Sequence, residues 1–340
     1  MTKAPEVYTL KNRKGLAVSF IARGGQITSI KVPNEFGKIA DVVLGYDTIE
    51  ETLNGDSSFG AICGRYANCI VDGQFEIKGE SFQLDKNNGV NHYNGGVDGF
   101  DKRIWEVEPL KIRRFVQAYK LSLMSPDGDQ NYPGELSVSV VYGITEENEF
   151  AIEYSAKSTK DTVINLTSHA YFNLKGAGEG TIADHELTLN SDKYTVLDDK
   201  AKVVNGEIAQ VRATAMDFAS GDFISEALES NDPQVKLMNG INHNYVISAY
   251  DESLRIAARL EHEESGRMME VYTDQPGIQV YTGNHFDGTQ IGKQGKPMQK
   301  WDGIALMSQI FPDSPNQANF PNAILKAGRK YSHTCVYRFL

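Results

Sequence analysis

The chain has 340 residues, with 40% hydrophobic and 23% charged residues and a net charge of −11. That balance gives a folded chain with a core of ordinary size, and it excludes a nucleic-acid or anionic-membrane binder without a local basic patch. The densest basic run, Lys111, Arg113 and Arg114, reads as a solvated turn.

In chain order, a short helix is predicted around Thr48 to Leu53 and a turn at Asp127-Gly128. Period-two alternation then marks strands at Leu136–Val140, Phe150–Tyr154 and His185–Leu189. Successive side chains of a strand point to opposite faces, so alternation means one wet face and one dry face. A second short helix is predicted around Ile224 to Leu228, a turn at Asn239-Gly240, and strands at Met269–Tyr272 and Cys335–Phe339. Thirty-one glycines punctuate these elements. Linkers, low-complexity runs and short-period repeats are not evident. The pattern predicts one antiparallel β-sandwich domain over residues 1–340 with few short helices.

Three cysteines, Cys63, Cys69 and Cys335, cannot all pair, and their sparseness predicts reduced thiols in a cytoplasmic protein. The start, Met1-Thr2-Lys3-Ala4-Pro5-Glu6-Val7, has no apolar leader, and no apolar run approaches the ~20 residues that span a bilayer. Asn165-Leu166-Thr167 fits a glycosylation triplet and is read as accidental in that compartment. The seven histidines are dispersed, and no phosphate-cradling glycine loop opens a helix. No metal and no nucleotide cofactor is therefore expected.

Six segments carry chemistry, in this order: Gly60–Asn68, Asn91–Gly96 running on to Trp105, Ser125–Gly134, Thr167–Leu174, Gln275–Asn284 and Leu306–Asn316. Together they resemble the aldose 1-epimerases, also called galactose mutarotases, from about Tyr8 to Phe339. The resemblance implies a galactose mutarotase-like β-sandwich and a small carbohydrate ligand, with no nucleic acid, no membrane, and a monomer or homodimer. It also implies a chemistry. A base removes the proton of the sugar's C1 hydroxyl, an acid protonates the ring oxygen, and the opened chain recloses as the other anomer.

Carried over residue by residue, the resemblance makes His169 the acid and Asn68 and Gln279 sugar-hydroxyl partners. Met307 stands where the family has its glutamate base, and a thioether cannot take a proton. Cys69 stands for the arginine, Asn94 for a second histidine, and Asn242 for the aspartate. Asn68, Cys69, Asn94, His169, Asn242, Gln279 and Met307 are then expected to line one pocket that is almost neutral, with His169 easier to leave uncharged. Met307 should pack as an apolar wall. Cys69 reads as a small apolar filler or a nucleophile, with its thiol near the reference value of ~8.5. His92 and Tyr93, beside Asn94, are candidates to face the ligand, and both join Cys69 and His285 as replacement acid–base groups.

Three functions fit these residues. The first is a divergent isomerase on a cyclic hemiacetal, with weak ordinary mutarotation. The second is a non-catalytic carbohydrate-binding protein on the same fold. The third is a lyase or cyclase on a less polar metabolite.

Overall fold

The computed structural model describes residues 6–56 and 58–340. The leader reading rests partly on residues 1–5, outside that range. Within it the chain is built on two large sheets and a four-stranded N-terminal sheet, with short two-stranded ladders around them.

The nine-stranded sheet runs Glu106–Leu110, Gln117–Ser125, Leu136–Ile144, Glu149–Ser158, Lys330–Phe339, Arg267–Thr273, Arg255–His262, Glu186–Leu189 and Asp222–Phe223. All five strands predicted from alternation fall in it. Leu136–Ile144 buries alternate residues over its first half, and Lys330–Phe339 does so over its second. The dry side chains, among them Val138, Val140, Ile152, Val271 and Tyr337, belong to the main core.

The six-stranded sheet runs Tyr171–Phe172, Ile304–Gln309, Gly277–Tyr281, Asn242–Val246, Lys193–Leu197 and Val204–Gln210. Its Tyr245, Ile278, Val280, Leu306 and Phe172 enter the same core cluster as the nine-stranded sheet. Every residue of Gly277–Tyr281 and Ile304–Gln309 is buried. No wet face exists there, so no alternation could show.

The described residues hold three six-residue helices. Ile49–Asn54 starts on a capping box: Thr48 accepts from the Glu51 N–H at 3.1 Å and Glu51 accepts from the Thr48 N–H at 2.9 Å. Both contacts satisfy donors that the first turn leaves without a helical partner. Ile224–Glu229 matches the second predicted helix. Pro233–Met238 was not predicted, although its start is written locally: Asp232 caps the Gln234 N–H at 2.8 Å and Pro233 opens the turn. The basic run lies on an exposed turn, with Arg114 paired to Glu153. Among the described residues no helix is long and apolar enough to cross a membrane.

Candidate active site

The floor of the site follows from strand register. Gln279 lies opposite Asn244 on one side and Met307 on the other, and Tyr281 lies opposite Asn242 and Ala305. Directly opposed residues of antiparallel strands share a face. Asn242, Asn244, Gln279, Tyr281 and Met307 therefore rise from one face, while Ile278, Val280 and Leu306 enter the core behind.

Gln279 donates from Nε2 to Asn242 Oδ1 at 2.8 Å. Its own Oε1, and both amide atoms of Asn244, are buried without a partner in the protein. Beyond Gln279 the floor turns apolar. Met307 is 4% exposed and belongs to one buried apolar cluster with Leu44, Phe59, Tyr171, Tyr281, Phe286 and Met298.

His169 follows the short strand Thr167–Ser168, which pairs with Ile62–Cys63. Its N–H donates to the Ala61 carbonyl and its carbonyl accepts from the Gly60 N–H, each at 2.9 Å. The ring lies 4.9 Å from that of Tyr171 and 6.5 Å from that of Tyr281, and Nδ1 has no partner. Burial pushes its pKa down to about 4, only partly offset by the charge of Asp56, so the imidazole is neutral at pH 7.

One rim is made by two asparagines in left-handed backbone. Asn68 has φ 66° and Asn94 φ 46°, a region asparagine tolerates better than most residues. Each holds the other: the Asn68 N–H donates to Asn94 Oδ1 at 2.7 Å and the Asn94 N–H to the Asn68 carbonyl at 3.0 Å. Next in the chain, Gly95 has φ 88°, and a Cβ there would sit 1.7 Å from the Gly64 carbonyl oxygen. No other residue fits. Buried Arg65 fastens this rim to the Ser125–Gly134 turn, donating to the Ser125 hydroxyl at 2.8 Å and to the carbonyls of Pro126 and Gly134 at 2.7 Å each.

Cys69 pairs with Tyr93 across a two-residue ladder. The thiol is pushed up to about 12, by burial first and then by the charge of Asp313. The expectation of a reference-like thiol is corrected: at neutral pH Cys69 is a filler and not a thiolate. Burial also raises the Tyr93 phenol.

His92 does not fit its expected place. Its ring is fully buried; Nδ1 contacts the Asp85 carbonyl at 2.6 Å and Nε2 the Tyr132 hydroxyl at 2.7 Å. With both nitrogens engaged it has none for a ligand. The reason is the ladder itself, since neighbours on a strand point opposite ways, and Tyr93 takes the open side. His285 is exposed and its Nδ1 meets the Tyr281 hydroxyl.

Together these walls enclose a cleft of about 330 Å³. Asn68, Cys69, Tyr93, Asn242, Asn244 and Gln279 line it, facing Leu197, Val203, Val204, Met238 and Pro312. Of the seven residues expected to line one pocket, Asn94, His169 and Met307 are not in this lining: Asn94 is spent holding the Asn68 N–H, Met307 is buried opposite Gln279, and His169 is buried with its ring against those of Tyr171 and Tyr281. Lys202 is the one charged side chain among the described lining residues. Asn244 and Tyr281 were not singled out from sequence, though both lie two residues from chosen positions, the spacing that returns to the same face of a strand. A larger groove of about 770 Å³ lies elsewhere, and its buried cations are already engaged. Lys293 pairs with Asp41 at 2.7 Å, and Arg267 donates to the carbonyls of Val32, Leu174 and Lys38. Among the described residues no group of three or more histidine, cysteine or acidic side chains could hold a metal.

The fold defines an all-β protein of the galactose mutarotase type, with a cleft over the six-stranded sheet on the side away from the shared core. The aldose 1-epimerase family model matches residues 6–338, and the chain belongs to that family. It is 40% identical to the galactose mutarotase of Bos taurus over 324 residues, covering 95% of this chain and 91% of that protein. It is 33% identical to the aldose 1-epimerase of Escherichia coli (strain K12) over 334 residues, 98% and 94% of the two chains. Among solved structures, an aldose epimerase homologue from C. elegans superposes with a TM-score of 0.89 at 28% identity, covering 99% of each chain. The galactose 1-epimerase of Lactobacillus acidophilus NCFM superposes at 0.86 with 30% identity, covering 98% of this chain and 93% of that one.

Proposed function

We propose that the cleft binds a cyclic sugar and that the chain acts on its hemiacetal carbon as a divergent aldose 1-epimerase, with His169 as proton donor and ordinary glucose or galactose mutarotation slow. The observation that carries this is the floor. Met307, opposite Gln279, offers a thioether where the family resemblance places a carboxylate, and its neighbours in the cluster are apolar or aromatic. Ring opening needs one group to accept the C1 proton and another to supply one to the ring oxygen. A neutral His169 can donate its N–H, but a group with pKa about 4 is rarely charged at pH 7. Loss of one positioned acid–base group removes ~10²–10⁴ in rate.

Sugar binding does not require that pair. Asn68, Asn242 and Gln279 supply donors and acceptors for hydroxyls, so binding without turnover is the second reading, favoured by the carboxamide lining. NMR exchange between anomers, run on a panel of aldoses, tests the first. Exchange faster than in buffer for at least one sugar, lost in His169→Asn, is the expected result. Exchange unchanged by His169→Asn would remove His169 as the acid, and binding without any acceleration would leave the second reading.

A further inference from the structure

The two walls of the cleft differ in chemistry, and the difference follows the order of strands. From Gly277–Tyr281 and Asn242–Val246 to Lys193–Leu197 and Val204–Gln210, the lining changes from Gln279 and Asn244 to Leu197 and Val204. Leu197 and Val204 are register partners, so the aliphatic wall is one continuous patch, extended by Met238.

On the amide wall three atoms are buried without a partner: Asn244 Nδ2, Asn244 Oδ1 and Gln279 Oε1. Asn244 is 1% exposed and Gln279 4%. Flipping the Asn244 amide changes nothing, since both of its ends are open. Unpaired buried polar atoms destabilise a fold, and a site keeps them where a ligand completes them. The open set is one donor and two acceptors, next to an aliphatic patch. A ligand of net charge would meet only Lys202, which is exposed.

A hydroxyl can answer the open atoms but leaves the aliphatic wall facing polar groups. An alkyl group covers that wall and leaves the amides open. An acetamido group does both. Its N–H reaches an acceptor, Gln279 Oε1 or Asn244 Oδ1; its carbonyl takes Asn244 Nδ2; its methyl packs on Leu197 and Val204. We propose that the cleft takes an uncharged acetamido sugar in preference to the same sugar with a hydroxyl at that carbon. This rests on reading the cleft as a sugar site.

Calorimetric titration of the full chain tests it, with N-acetylglucosamine and N-acetylgalactosamine against glucose and galactose. At least one acetamido sugar should bind about tenfold tighter than its parent or better, the factor that ~1.4 kcal/mol confers. The N-formyl analogue, which keeps both polar ends and lacks the methyl, should lose about fourfold of that gain. Asn244→Leu should bring the acetamido-to-parent ratio close to one. Val204→Asn, which leaves the amide wall in place, should lower the same ratio and serves if Asn244→Leu does not fold. Parent sugars binding as tightly as both acetamido sugars would overturn the preference and leave the sugar site standing. Binding of no sugar at all would overturn both.

Discussion

The two large sheets share one core and differ in what lies on their other side. Leu136–Ile144 and Lys330–Phe339 in the nine-stranded sheet turn one face to water along much of their length. Gly277–Tyr281 and Ile304–Gln309 in the six-stranded sheet are buried on both faces, by the core behind and by the site's own walls in front. A sheet that only holds the fold together can be wet on one side; a sheet that carries a cleft has to be covered twice. The covered face is where carboxamides and a thioether are placed side by side.

The largest expected effect breaks the shared side. Leu306→Ala, at a fully buried position in the common core, should cost ~2–5 kcal/mol of unfolding free energy in urea melts. On the wet face of the nine-stranded sheet, Ser137→Thr should change stability by less than about 0.5 kcal/mol. A comparable loss at both positions would mean that the two faces are not energetically distinct.

A somewhat smaller effect sharpens the cleft side through pH. His169 has a folded pKa of about 4, lowered mainly by burial, against an unfolded value near 6.5. The unfolded chain therefore binds the proton more readily. The contribution is present above pH ~6.5 and is lost as pH falls from there through about 4, to a limit of about 3 kcal/mol. Buried His243 and His185, each lowered to about 3, and His333, lowered to about 4, act in the same direction. His169→Gln should flatten melting temperature against pH between 6.5 and 4, while leaving the part due to the other lowered histidines, His92 and His285 included. An unchanged profile would mean that His169 is not buried as described.

Introducing the charges that the family resemblance implies should act in the opposite sense on stability and on rate. Met307→Glu alone buries a carboxylate among aromatic rings. It should lower stability by a few kcal/mol, since an unpaired buried charge costs about that much. It should also raise the pKa of His169 and recover little mutarotation. Adding Cys69→Arg, Asn94→His and Asn242→Asp should recover far more rate than the four single changes combined, because groups that act as a unit are not additive. Additive recovery, read by polarimetry, would show that the positions work independently.

The same comparison explains what the sequence could tell. Strands with a wet face announce themselves by alternation, and all five predicted ones lie in the nine-stranded sheet. The six-stranded sheet was legible only through the order of its segments, because a strand buried twice has no period to read. Met307, Gln279 and Asn242 could be placed together that way, and register brings them onto one face. His92 could not be separated from Tyr93 by motif alone; which of two neighbours faces inward depends on the short Cys69–Ile70 ladder. Asn244 was passed over because a single asparagine carries no signal until its partners are known to be missing. The Leu197–Val204 wall comes from a hairpin outside every recognised segment. The thiol of Cys69 is not legible in the sequence, because its pKa depends on burial, which the sequence does not state.

Met307 at the floor is the position on which slow mutarotation rests. The most direct measurement is polarimetry of freshly dissolved α-galactose and α-glucose with the unmodified protein at pH 7, on samples in which calorimetry has shown the sugar to bind. The expected result is a bound sugar whose rotation relaxes close to the rate in buffer, at least ~10² below an intact acid–base pair. Rapid relaxation that scales with protein concentration would contradict it and would show that another group has taken the role of the missing carboxylate.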